Sequence, residues 1–174
     1  MPIRVTATVD PVSDHVEARA LHGEPFVMDG DAAEGEDRAA EDRAAEPKET
    51  LLAALAGCTS MDVASILRKK RQRAAAYQIE VSGTSAEEHP RVFTAITVEH
   101  RVTGAVEPEA LRRSIELSAT KYCPVNAMLS AVATIEHRYH LTDERGEVHS
   151  ALVAVTGPAG ASVAQAPHPG HEAV

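Results

Sequence analysis

Eight consecutive residues, Leu51-Leu-Ala-Ala-Leu-Ala-Gly-Cys58, carry no charge on any face over more than two helical turns, and this run constrains the chain more than any other feature. Pro47 suits a first helical turn, Glu49 sits where the helix dipole favours a carboxylate, and Arg68, Lys69, Lys70 and Arg71 gather cations at the far end. The pattern predicts one helix over about 47–71. A helix that is apolar all round must be enclosed all round. One sheet covers only one side, so the run calls for a central helix wrapped by sheet on one side and by a second subunit on the other.

The remaining segments alternate with a period of two or carry turn residues. Ile3, Val5, Ala7 and Val9 alternate with polar residues as in a half-buried strand. Short strands are expected at 15–21 and 25–29, split by a turn at His22-Gly23-Glu24, and an antiparallel hairpin at 77–84 and 92–103 around a polar turn. Pro108 opens a second helix that should end near Lys121. Pro124 then places Cys123 at the cap of a short third helix. A last strand is expected at 134–141. Residues 1–145 are expected to form one domain, which carries a charged surface insertion at 31–46, containing Glu-Asp-Arg-Ala-Ala twice in tandem. An Ala/Gly/Pro-rich mobile tail follows at 146–174, with 151–156 a candidate added strand.

Charge and composition narrow the function. With 26 acidic against 17 basic residues and a net charge of -9, neither a nucleic-acid groove nor an anionic membrane surface is the expected partner. A 3% aromatic content without tryptophan leaves no base-stacking platform. The N-terminal segment lacks a secretory apolar stretch and no run looks long enough to span a bilayer, so the expected location is the cytoplasm. Two cysteines in a reducing compartment are seldom a structural staple, and any pairing between them is expected to be transient. His137 and His140 fall on opposite faces of a strand, and His168 and His171 lie in the tail; no metal site is expected from them.

Two segments carry a family resemblance. Glu46-Pro-Lys-Glu-Thr-Leu-Leu-Ala-Ala-Leu-Ala-Gly-Cys58-Thr-Ser-Met-Asp62 resembles the first cysteine motif of the OsmC/Ohr family, and Lys121-Tyr-Cys-Pro-Val125 resembles the second. Residues 65–71, 89–93 and 113–118 are similar to the OsmC-like branch, and the likeness extends over roughly 24–141. The resemblance implies an α+β fold, an intertwined homodimer with antiparallel sheets wrapped around central helices. It also implies a thiol-dependent peroxidase in which Cys58 attacks a small organic hydroperoxide and becomes a sulfenic acid, Cys123 resolves it as a disulfide, and a cellular dithiol restores both, with no metal or flavin cofactor.

The resemblance assigns three further residues. Glu49 matches the family's active-site glutamate, but nine residues of helix put it about 13.5 Å along the axis and half a turn from Cys58, so it must meet the Cys58 of another subunit. Asp62, one turn after Cys58, resembles the branch's aspartate, and Arg19 is the nearest candidate for an arginine that stabilises the thiolate. Each has a plainer role open to it: dipole stabilisation for Glu49, helix solvation for Asp62, strand solvation for Arg19. Cys58 can likewise be a small buried hydrophobe. Mid-helix, it gains no help from helix-terminal amides, whereas Cys123 does. The alternative function is a non-catalytic dimeric stress or binding protein with an apolar interfacial pocket.

Overall fold

The computed structural model describes residues 3–10, 15–29 and 44–164. They form two compact units, 1–53 and 54–174, with the boundary inside the long helix.

The N-terminal unit holds a three-stranded antiparallel sheet in the order β1 (Val5–Val9), β2 (Val16–Ala20), β3 (Phe26–Met28). It also holds the first turns of α1 (Pro47–Lys69). Glu49 reaches back so that its Oε2 accepts the Glu46 N–H at 2.8 Å, which satisfies an orphan amide at the helix start as the second half of a capping box does. Most of the tandem repeat lies outside the described residues.

The larger unit is a five-stranded sheet in the order β4 (Arg73–Ser85), β5 (Phe93–Ala105), β6 (Thr134–Thr142), β7 (Val148–Gly157), β8 (Gly160–Val163). Between β5 and β6 run α2 (Pro108–Leu117), a π-helical turn (Ser118–Tyr122) and α3 (Pro124–Leu129). The resemblance implied antiparallel sheets; this one is mixed, because β6 pairs with β5 in parallel. The helical connection is the crossover that a parallel pair requires. One face of the sheet is apolar: Ile96, Val98 and Val102 of β5 and Ile135, Tyr139 and Leu141 of β6 are buried. The alternate positions Glu99, Arg101, Glu136 and Arg138 pair among themselves on the other face. A bulge opposite His137/Arg138 shifts the register of β7, so the neighbours Val153 and Ala154 are both buried. The α2 residues Leu111 and Ile115 and the α1 residues Val63 and Leu67 complete this core.

Two expectations are corrected here. Of the stretch expected to be a mobile tail, the candidate strand at 151–156 lies inside β7, and residues 148–157 and 160–163 form two full strands, β7 on the open edge of β6 and β8 folded back onto β7 by the turn at 158–159. Within one chain α1 is buried along a single stripe, Leu55, Thr59, Val63 and Leu67, spaced four residues apart, and leaves Leu51 and Met61 exposed. Finally, α1 is long and apolar enough to cross a membrane, which the reading of the sequence excluded. Its buried stripe and its polar contacts through Thr59 and Asp62 are those of a helix packed on a protein core.

Candidate functional site

Thr59 and Asp62 face the segment that follows α2, and Cys58 shares their helix. After Leu117 the helix widens by one residue, so that the Cys123 N–H bonds to the Ser118 carbonyl. Such π turns free backbone groups and often mark functional positions. The Ala119 carbonyl, for example, accepts the Asn126 Nδ2–H at 2.8 Å. Pro124 lacks an N–H and opens α3, which leaves Cys123 as N-cap and the amides of Val125 and Asn126 pointing out of the helix end.

The Asn126 N–H donates to Cys123 Sγ at 3.3 Å, and the neighbouring Val125 amide favours the thiolate of Cys58. Cys58 therefore does receive help from a helix end, the end of α3 rather than of its own helix. That corrects the expectation from sequence, where only residues near in the chain could be compared. Thr59 Oγ1 is a second donor to Cys123 Sγ, at 3.5 Å.

Both cysteines are free thiols, Cys58 half-buried and Cys123 buried. The two sulfurs and a carboxylate oxygen of Asp62 lie within 4.8 Å of one another. Asp62 is oriented by the Ser118 hydroxyl, which donates to Oδ2 at 3.0 Å. Burial, the hydrogen bond to Cys123 and the negative character of Cys123 and Asp62 push the Cys58 thiol up to about 11, against the opposing pull of the Val125 amide. No cation is among the largest influences on this thiol. A groove of about 550 Å³ opens beside Asp62, with Met61, Arg68 and Tyr77 on its walls.

The structure thus gathers Cys58, Cys123 and Asp62. Glu49 and Arg19 belong to the N-terminal unit, where Glu49 caps its helix and Arg19 pairs with Glu17 at 3.2 Å on an exposed strand face.

Behind the thiols lies a polar chain that the sequence reading did not identify. Asn126 Oδ1 accepts from His137 Nε2 at 2.9 Å, and its Nδ2 donates to Thr156 Oγ1 and the Ala119 carbonyl. With both Asn126 amide hydrogens committed, His137 Nε2 carries the proton. His137 stacks on His100, which meets the Tyr77 hydroxyl through Nδ1 at 2.7 Å. Burial holds both imidazoles well below their ordinary range, His137 at about 4. The remaining nitrogens, His100 Nε2 and His137 Nδ1, have no hydrogen-bond partner among the described residues. His100 and His137 occupy apolar-phase positions in their strands, the one signal that could have found them.

Comparisons with known proteins bear on the fold and the family. Residues 40–138 match the family model described as OsmC-like protein. Protein YhfA of Escherichia coli (strain K12) is 37% identical over 120 residues, 68% of this chain and 84% of that one. Among solved structures, a hypothetical protein from Aquifex aeolicus VF5 superposes with a TM-score of 0.71 at 24% identity, covering 83% of this chain and 98% of its own. The organic hydroperoxide resistance protein OhrB of Bacillus subtilis gives 0.57 at 13% identity, covering 80% and 98%. The two structures share the fold, and the match of more than half the chain to one family model, with a relative at this identity, decides the kinship: the chain belongs to the OsmC-like protein family.

Proposed function

We propose that the protein is a thiol-dependent peroxidase that reduces organic hydroperoxides in the cytoplasm, with Cys58 as the attacking sulfur and Cys123 as the resolving one. The observation that carries this reading is the pair of free thiols with sulfurs within 4.8 Å at the N-terminal end of α3, where Cys123 Sγ accepts the Asn126 amide. The half-buried Cys58 is the more accessible of the two. Its thiolate attacks the O–O bond; one oxygen stays on sulfur as the sulfenic acid and the other leaves as the alcohol after taking a proton. Cys123 sulfur then displaces the sulfenic oxygen as water, forming the disulfide, and a cellular dithiol reduces it in two exchange steps.

A thiol held near 11 needs a positive group to ionise at neutral pH. In this reading a homodimer supplies the missing polar groups, with Glu49 of one subunit near Cys58 of the other and Arg19 the candidate cation. Asp62, held by Ser118, orients whatever donor enters. The elevated Cys58 thiol is also what favours the second reading, a non-catalytic dimeric stress or binding protein whose cysteines are incidental.

One experiment separates the two. The reduced protein is treated with one equivalent of cumene hydroperoxide, followed by thiol counting and peptide mass spectrometry. The expected result is loss of two thiols with a linked 58–123 peptide, and accumulation of a trappable Cys58 sulfenic acid in Cys123→Ser. Thiols that stay unreacted in peroxide excess would overturn the peroxidase.

A further inference from the structure

The same three side chains that meet at the α1–α3 contact form a donor set for a metal ion. We propose that reduced Cys58 and Cys123, together with Asp62, bind one thiophilic divalent cation of the zinc type, and that closing the disulfide expels it.

The geometry is close to what one ion demands. Zinc–thiolate bonds are about 2.3 Å and zinc–carboxylate bonds about 2.0 to 2.2 Å, so two sulfurs on one ion stand at most about 4.6 Å apart. The donor atoms here already lie within 4.8 Å of one another, which leaves only small side-chain rotations. Cys58 and Asp62 are four residues apart on α1 and project from one face, while Cys123 comes from the opposing helix cap. Three ligands therefore converge from two rigid elements. The surrounding contacts also suit an ion. Ser118 fixes one oxygen of Asp62, and the Asn126 amide donates to the Cys123 sulfur, as outer partners of metal-bound thiolates do.

Two sulfurs and one carboxylate select zinc, cobalt or cadmium over magnesium and calcium, which prefer all-oxygen shells. Three protein ligands leave the fourth tetrahedral position open, so the ion is exchangeable rather than structural. The histidines, considered as ligands from the sequence, take no part. Cys58, Asp62 and Cys123 spread over 65 residues form no recognisable spacing, which is why only the fold reveals the set.

The site itself stands on geometry, whereas its coupling to turnover rests on the peroxidase reading. The coupling balances: a hydroperoxide and two protons convert the metal dithiolate to a disulfide, the free divalent ion, one alcohol and one water. The two electrons come from the two sulfurs. Bound metal and disulfide exclude each other, so a thiophilic ion protects and silences the reduced pair.

The test is a titration of the reduced, reductant-free full chain with cadmium chloride, following the sulfur-to-cadmium charge-transfer absorbance. One equivalent is expected to saturate the band and to slow alkylation of both thiols at least tenfold. Cys58→Ser and Cys123→Ser should each lose about half the absorbance and at least tenfold in affinity, and Asp62→Asn should bind roughly tenfold more weakly at unchanged stoichiometry. Circular dichroism of each variant checks that it is folded. Absence of the band at cadmium excess, or affinity unchanged in both cysteine variants, overturns the site. A parallel peroxide titration without metal keeps the two ideas apart: cadmium binding without peroxide oxidation leaves the site and removes the peroxidase, and the reverse result removes the site alone.

Discussion

At the residue scale the chemistry is governed by who donates to which sulfur. Cys123 receives Thr59 and the Asn126 amide, while the Val125 amide is the influence that favours the Cys58 thiolate. Asn126 ties this arrangement to the core through His137, Thr156 and Ala119, so the amides that face the thiols are held by a side chain buried behind them. Two neutral histidines make that support sensitive to acid. Because His137 titrates near 4 in the native state against an ordinary 6.5, the unfolded chain takes up a proton that the native ring refuses between those values. The stability it contributes is present above about 6.5 and is lost as pH falls, by roughly 3 kcal/mol from His137 alone. His100 acts in the same direction. Urea unfolding at pH 7 and pH 4.5 should show this loss, and His137→Gln, which keeps a donor toward Asn126 without a titrating ring, should reduce it.

Among the elements, two backbone positions set how α1 ends and how β4 and β5 pair at the open end of their hairpin. Beyond Lys69 the chain stops in a Schellman arrangement, with Gln72 N–H bonded to the Leu67 carbonyl and Arg71 N–H to that of Arg68. Arg71 there has φ of 58°, a left-handed conformation that costs a non-glycine residue about 1 kcal/mol. Arg71→Gly should therefore raise the stability by up to that amount in chemical denaturation. Gly104, at φ of 121°, sits opposite the bulge in β4, and an added Cβ would come 2.5 Å from the Ala75 nitrogen and 2.6 Å from the Arg73 oxygen. Gly104→Ala should lower stability by more than about 1 kcal/mol, since both the strain and the backbone collision oppose it. Helix α1 was legible from Pro47, its apolar run and its terminal cations, and α3 from Cys123-Pro124. The π turn was not: nothing local in Ser118–Tyr122 distinguishes it from more α-helix, and it is the Asn126 side chain, seven residues on, that uses the freed Ala119 carbonyl.

For the molecule as a whole, the open question posed by the sequence was what encloses an all-apolar helix. One chain buries the stripe from Leu55 to Leu67 and leaves Met61 73% and Met128 65% exposed. Large apolar side chains left in water at this density favour burial against another surface. A second copy is the occupant the proposed function requires. Sedimentation at micromolar concentration should give twice the chain mass, and Met61→Glu should shift the protein toward monomer and lower peroxide turnover severalfold if α1 lies in the shared face.

The sequence by itself determined nearly every helix and strand, because those follow from periodicity, prolines and charges within a few residues of each other, and its two cysteine motifs named the family. Only the tertiary structure decided that residues 148–163 extend the sheet, that β6 runs parallel to β5, and that Cys58, Asp62 and Cys123 meet at the amides of α3. These depend on strand edges and hydrogen bonds between different segments of the chain, whose partners are chosen by packing and leave no local mark in the sequence.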